Sequence, residues 1–328
     1  MSTRILRSIV MAGSLLATMT AMAAGPAGAP SATASQSGAK RPAGVPADYV
    51  RTSMGYFHPS CIQTVGAGER ILGGGKIAKA DGTIREYAAC KSPRYLLTSG
   101  KKIDVGEKVR KVRDETVVYA SMLADMYLDP AKGGVETFAM TWKVPKNPTV
   151  DTGQFLSFNM SAVLNEIYMQ IETDWNGDDE QGGSVNKGWT ASPWNCCDDG
   201  TIFRGIPIPL QAGDEVTGYI VYMQSSRDYN VLVIANGKSS ILKTPHYTDF
   251  ANEVWGGGFT GAGVQDCDSQ LPASRSVDFS LGQLMTNSGK SVTEQFVPYY
   301  DKNPAEALQC PGFNITINPA TKINTISY

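Results

Sequence analysis

An alternation of apolar and polar residues with a period of two recurs along this chain, and it constrains the fold more than any other feature. Phe138, Met140, Trp142 and Val144 alternate with Thr137, Ala139, Thr141 and Lys143, and Pro145 and Pro148 end the run. A period of two is that of a strand with one buried face, and proline cannot donate to a sheet ladder. Leu156, Phe158 and Met160 repeat the pattern, and residues 215–223 and 231–234 continue it. Asn236-Gly237 then turns the chain back into residues 239–242, since that pair accepts the positive φ angles of a tight hairpin. Only residues 116–126 read as a helix. With 34 glycines among 328 residues and only 18% charged residues, the pattern predicts an all-β fold, an antiparallel β-sandwich of jelly-roll type over residues 115–328.

The segments before it differ in kind. Arg4 and Arg7 precede an apolar run from residue 9 to 19, and Ala21-Met22-Ala23 supplies small residues for cleavage, so residues 1–23 read as a signal peptide. The run is too short to span a bilayer permanently. An exported protein follows, extracellular or periplasmic, with no membrane attachment once the signal is removed. Its 27 basic and 31 acidic residues argue against nucleic acid as a partner. Residues 24–48, rich in Ala, Gly, Pro and Ser, cannot bury enough surface to order themselves and read as a linker. Residues 49–114 carry Asp81-Gly82 between two short runs, a hairpin signal. They read as a small disulfide-tied β unit or a propeptide.

Six cysteines in an exported chain predict disulfides rather than a metal or redox site. Proximity pairs Cys61 with Cys90 and Cys267 with Cys310, which leaves Cys196 to Cys197 as a small strained ring beside Trp194. The alternative, in which each of the adjacent cysteines pairs with a distant one, stays open.

Residues 166–197 concentrate the side chains that folding alone explains least. A strand here buries Ile167, Met169 and Ile171 and sets Tyr168, Gln170 and Glu172 in a polar row on its other face. Trp175, Trp189 and Trp194 lie nearby, and flat side chains beside polar groups suit a groove that grips an extended polymer, although core aromatics explain them equally well. Residues 174–180 offer oxygen ligands, yet a calcium loop needs glycine where Asp179 stands and glutamate where Val185 stands, so the segment reads as a solvated loop. His58 and His246 are the only histidines, in no zinc motif, and no nucleophile elbow occurs in the mature chain. No metal or cofactor is expected. Gly256-Gly257-Gly258-Phe259-Thr260-Gly261 matches a dinucleotide fingerprint in spacing alone and reads as a glycine-rich loop.

The order Trp142-Lys143-Val144-Pro145, Gln154-Phe155-Leu156-Ser157-Phe158, Met169-Gln170, Trp189, Pro193-Trp194 and Ala212-Gly213-Asp214 resembles the glutamic peptidases, or eqolisins. That resemblance implies a concanavalin A-like sandwich and an endopeptidase acting on extracellular polypeptide at acid pH. It also implies a catalytic glutamine and glutamate, matched by Gln170 and by Glu253 in Ala251-Asn252-Glu253-Val254-Trp255. In such a pair the carboxyl group relays a proton while the amide donates to the oxyanion, with Tyr168, Glu172 and the three tryptophans as substrate contacts. A second reading takes Glu172 and Asp174 as the paired acids of a sandwich glycosidase. A third takes the tryptophans as platforms of a polysaccharide-binding module. Oligomeric state is not legible.

Overall fold

The computed structural model describes residues 41–97, 99–105, 120–129, 131, 133–165, 167–177, 188–196, 199–289, 292, 295–301 and 312–328. The signal peptide, Glu166, Cys197, Cys310 and residues 178–180 of the acidic loop therefore lie outside the described residues. Residues 37–328 form one compact unit.

The described chain is built almost wholly from strands. The N-terminal part contributes β1 (Val50–Thr52), β2 (Gly55–Phe57), β3 (Ile62–Thr64), β4 (Arg70–Gly73), β5 (Lys76–Ala78), β6 (Ile84–Glu86), β7 (Arg94–Tyr95) and β8 (Lys102–Ile103). The long strands are β9 (Ala120–Tyr127), β10 (Val135–Lys143), β11 (Phe155–Leu164), β12 (Ile167–Trp175) and β13 (Trp189–Cys196). After the short β14 (Ile202–Arg204) and β15 (Ile208–Leu210) come β16 (Glu215–Met223), β17 (Asp228–Ala235), β18 (Lys238–Lys243) and β19 (Glu253–Ala262). The chain closes with β20 (Ser276–Thr286), β21 (Val297–Asp301), β22 (Asn314–Asn318) and β23 (Ile323–Ser327).

Two sheets make the sandwich. One has seven strands in the order β18-β17-β16-β10-β20-β23-β22; the other runs β21-β9-β19-β11-β12-β13-β14-β3, with β15 also paired to β13. Their inner faces supply one continuous core, in which Phe138, Met140 and Trp142 from β10 meet Phe158, Met160, Met169 and Ile171 from β11 and β12. Trp142 Nε1 crosses between the sheets to donate to Thr173 Oγ1 at 3.0 Å, so the one polar edge of a buried indole is satisfied. The expected sandwich is present, as is the Asn236-Gly237 turn with both residues at positive φ (52° and 68°).

Two sequence expectations fail locally. The segment read as a helix ends in β9, which pairs with β19 and β21; the sheet on both sides satisfies its backbone, and tertiary pairing overrides propensity. The glycine-rich segment read as a loop lies within β19. Glycine is needed there because a bulge between Trp255 and Gly258 puts Gly257 at φ 130°, where a Cβ would meet the Phe279 ring at 2.7 Å.

The N-terminal residues are worked into this sandwich. The expected hairpin about Asp81-Gly82 joins β5 to β6, and Val65, Ile71 and Ile77 enter the main core. Strand β3 runs parallel to β14 as an edge strand of the larger sheet, and Arg70 pairs with the buried Asp228 at 2.9 Å. Residues 41–48, at the end of the segment read as linker, are held by Arg41, which donates to the carbonyls of Pro46 and Tyr49. Cys61 bonds to Cys90 as expected. Cys196 and Cys267 are disulfide-bonded as well.

Candidate active site

The larger sheet carries its polar residues on the face turned away from the seven-stranded sheet. Strand register builds that face row by row. Gln170 stands opposite Ser161 on one side and Trp194 on the other, and Trp194 stands opposite Arg204. Along β12 the next row aligns Asn159, Glu172 and Ser192, and the row after it Ser157, Asp174 and Thr190. The period of two that drives Met169 and Ile171 into the core sends Gln170, Glu172 and Asp174 to this side. A solvated face would be ordinary, but this one is buried: Gln170 and Asp174 are each 4% exposed, and Glu172 and Arg204 are fully buried.

Burial gives the face unusual electrostatics. Loss of water pushes the Asp174 carboxyl up to about 7, while Ser157, Glu172 and the Arg204 guanidinium pull in the opposite direction. Desolvation wins because a carboxylate loses more on leaving water than its neighbours return. Asp174 is therefore protonated in mildly acidic solution beside a second carboxyl group, Glu172. Such a pair can hold one proton between two groups, which lets one accept while the other donates. Arg204 supplies the buried positive charge that accompanies them. Among the described residues the oxygens of Gln170 (Oε1), Asn159 (Oδ1) and Ser161 (Oγ) have no hydrogen-bond partner, nor has Trp194 Nε1. Each such group costs about 1–3 kcal/mol, so the sheet keeps a row of polar atoms at the expense of stability.

The cover over the face comes from the N-terminal residues. The turn between β1 and β2 places Ser53 Oγ 2.5 Å from Glu172 Oε1, to which it donates. Met54, next in the turn, packs against two apolar clusters, one that includes Trp194 and Cys196 and one made of Val163, Tyr168 and Trp255. Arg51 braces the same hairpin, donating to the Gly153 carbonyl at 2.9 Å with its guanidinium over the Phe155 ring.

The residues singled out from sequence separate into two groups. Gln170, Glu172, Tyr168 and Trp194 all lie on the polar face. Trp175 and Trp189 belong to the core side, 7% and 2% exposed, where they line a cleft of about 560 Å³ with Asn147, Leu210 and Gln211. Their ring centroids lie 5.4 Å apart with the planes tilted by 59°, on the opposite side of the sheet from Gln170. Glu253 stands opposite Val163, which stands opposite Tyr168. It is thus one row along from Gln170 and two strand spacings away, roughly 10 Å sideways. Its Oε1 accepts from Trp255 Nε1 at 2.8 Å, and no hydrogen bond joins it to Gln170 among the described residues. Asp174, expected at the start of a solvated loop, lies within β12, which runs on to Trp175. Sequence reading missed Arg204, Ser53 and the row of Ser157, Asn159 and Ser161; the last was visible as the polar half of the alternation that marked Phe158 and Met160. Among the described residues no group of three or more acidic, histidine or cysteine side chains could hold a metal ion.

No protein-family model matches this chain, and no curated protein does. Solved structures do. Scytalido-glutamic peptidase with a peptide-based transition state analogue is 12% identical, with a TM-score of 0.41, covering 64% of this chain and 98% of its own. A member of the eqolisin family of peptidases in complex with the tripeptide Ala-Ile-His is 11% identical with a TM-score of 0.39, covering 64% and 98%. A second scytalido-glutamic peptidase structure, with a transition state analogue inhibitor, is 13% identical with a TM-score of 0.36, covering 64% and 96%. Likeness at that level transfers neither an activity nor a residue's role.

Proposed function

We propose that this chain is an exported, acid-acting hydrolase of peptide bonds whose proton transfers are carried by Glu172 and Asp174, with Gln170 beside them. The observation that carries the reading is the buried carboxyl pair, one member of which stays protonated up to about pH 7. Ionised Glu172 takes a proton from water, and the resulting hydroxide adds to the substrate carbonyl carbon. The Gln170 amide donates to the oxyanion. As the C–N bond breaks, Asp174 gives its proton to the leaving amine, and the proton on Glu172 then restores the pair. The chain's own chemistry needs Asp174 protonated, so activity falls as pH rises through about 7.

Two features favour a peptide over a sugar. Glycosidase carboxyls act from opposite sides of a bond, about 5–9.5 Å apart, whereas Asp174 and Glu172 lie within hydrogen-bonding reach of each other. The face is also covered by an extended polypeptide turn, Ser53-Met54, and the two core tryptophans that a glycan would need lie on the other side of the sheet. In this reading Glu172 and Asp174 take the role that the eqolisin resemblance gave to Glu253.

The test is hydrolysis of an unstructured protein from pH 2 to 7 by the full chain and by three variants confirmed folded. Glu172→Gln and Asp174→Asn should each lower kcat by roughly 10²–10⁴-fold, and Gln170→Ala by about 10²-fold. Full activity in Glu172→Gln, with loss in Glu253→Gln, would return the proton relay to Glu253.

A further inference from the structure

The Ser53-Met54 turn lies where a substrate would have to lie. Ser53 Oγ donates to Glu172 Oε1, so the turn already occupies one oxygen of the carboxyl pair. Met54 packs both against the cluster of Val163, Tyr168 and Trp255, whose two rings lie 5.3 Å apart and tilted by 49°, and against the cluster that holds Trp194. Trp194 and Trp255 stand in the same row as Gln170, and Val163 and Tyr168 form the next row on the side away from Glu172, so the recess these side chains line adjoins Gln170, one row from the carboxyl pair. Met54 itself is only partly buried, which leaves it the member of the contact that can withdraw. Methionine is long, unbranched and polarisable, and it suits an irregular aromatic recess.

From this we propose that the recess of Val163, Tyr168, Trp194 and Trp255 is the side-chain subsite of the enzyme, that it selects polypeptides carrying an unbranched apolar side chain of methionine or leucine size beside the bond to be cut, and that Met54 occupies it as a built-in competitor. The inference rests on the assignment of the Glu172–Asp174 face as the hydrolytic site. Competition of this kind has a definite signature. Substrate binds only the fraction of molecules in which the turn has withdrawn, so the apparent affinity is reduced by that fraction while the chemical step is untouched.

The experiment compares the full chain with Met54→Ala, Met54→Leu and the double variant Ser53→Ala/Met54→Ala, each confirmed folded by its urea midpoint. With an unstructured peptide containing a central methionine, Met54→Ala should lower KM about tenfold at unchanged kcat, the double variant should lower it further, and Met54→Leu should behave as the parent. A synthetic hexapeptide copying residues 51–56 should quench the tryptophan fluorescence of Met54→Ala, and the same peptide with aspartate in place of methionine should not. An unchanged KM in both alanine variants, or no quenching by the hexapeptide, overturns the proposal. Quenching without turnover in any variant would retain the subsite and reject the hydrolytic reading, so the two fail separately.

Discussion

Asp174 should make the stability of this protein depend on pH in the direction opposite to that of most carboxylates. Its pKa is about 7 in the folded chain against 3.8 for an exposed aspartate, and burial is the largest cause. A raised acid binds its proton in the folded state at pH values where the unfolded chain has lost it. Its contribution is therefore complete below about pH 4 and is lost as pH rises through about 7. Each pH unit in that window is worth about 1.4 kcal/mol, so the loss between pH 4 and 7 is on the order of 4 kcal/mol. That figure is large against a total stability of roughly 5–15 kcal/mol. Asp174→Asn keeps the shape and removes the titration. The assay is urea unfolding followed by tryptophan fluorescence at intervals from pH 4 to 8, for the full chain and the variant. The difference between the two curves should change by several kcal/mol across the range, with the variant the less pH-dependent. Parallel curves would show that Asp174 is ionised in the folded protein and that the two carboxyls share no proton.

Other outcomes follow from the same geometry. Arg204 is fully buried and its charge acts on Asp174, so Arg204→Met removes that counter-charge and should cost about 3–5 kcal/mol by urea unfolding. The Cys61–Cys90 bond closes a loop with a sequence separation of 29, and Cys61→Ser/Cys90→Ser should lose about 3–4 kcal/mol by the same measurement. Ala in place of Gly257 would put a methyl group 2.7 Å from the Phe279 ring at φ 130°, and it should lower the midpoint by more than the same change at Gly213, where nothing lies within 4 Å.

What the sequence disclosed and what it withheld have physical reasons. Alternation placed β10, β11, β12 and β16 because each buries one side chain in two against the opposite sheet, and a one-residue slip would reverse every face. The same period separated Gln170 and Glu172 from Met169 and Ile171, so the polar face was legible. Its burial was not, because what covers it arrives from residues 51–57, more than 100 positions upstream. Arg204 escaped notice for the same reason: nothing local in Ile202-Phe203-Arg204 tells that its row continues through Trp194 to Gln170. Glycines 256–258 read as a loop because a bulge in a strand and a loop share the same composition. The tryptophans separate by register, since among them only Trp194 shares the parity of Gln170 across β12 and β13.

The cover over the polar face is anchored in a way that limits how the face can open. Residues 61–87 supply an edge strand of the larger sheet through β3, and Val65, Ile71 and Ile77 to the main core, each no more than 1% exposed. Arg85 adds a bond to the Thr64 carbonyl at 2.7 Å and an ion pair with Glu69 at 3.0 Å. Removing residues up to 104 would expose the surfaces under those three apolar side chains, at about 1.5–3 kcal/mol apiece, and would leave β14 with an unpaired edge. That total of about 5–9 kcal/mol rivals the whole stability expected of a domain. Withdrawal of the β1–β2 turn alone disturbs only Ser53, Met54 and their contacts, which is a far smaller cost. A fragment starting at residue 105 should accordingly fail to fold cooperatively, giving a broad urea transition and no fixed near-ultraviolet circular dichroism. A sharp transition for that fragment at the midpoint of the full chain would show that residues 41–104 are a separable prosegment, and that the face opens by their loss.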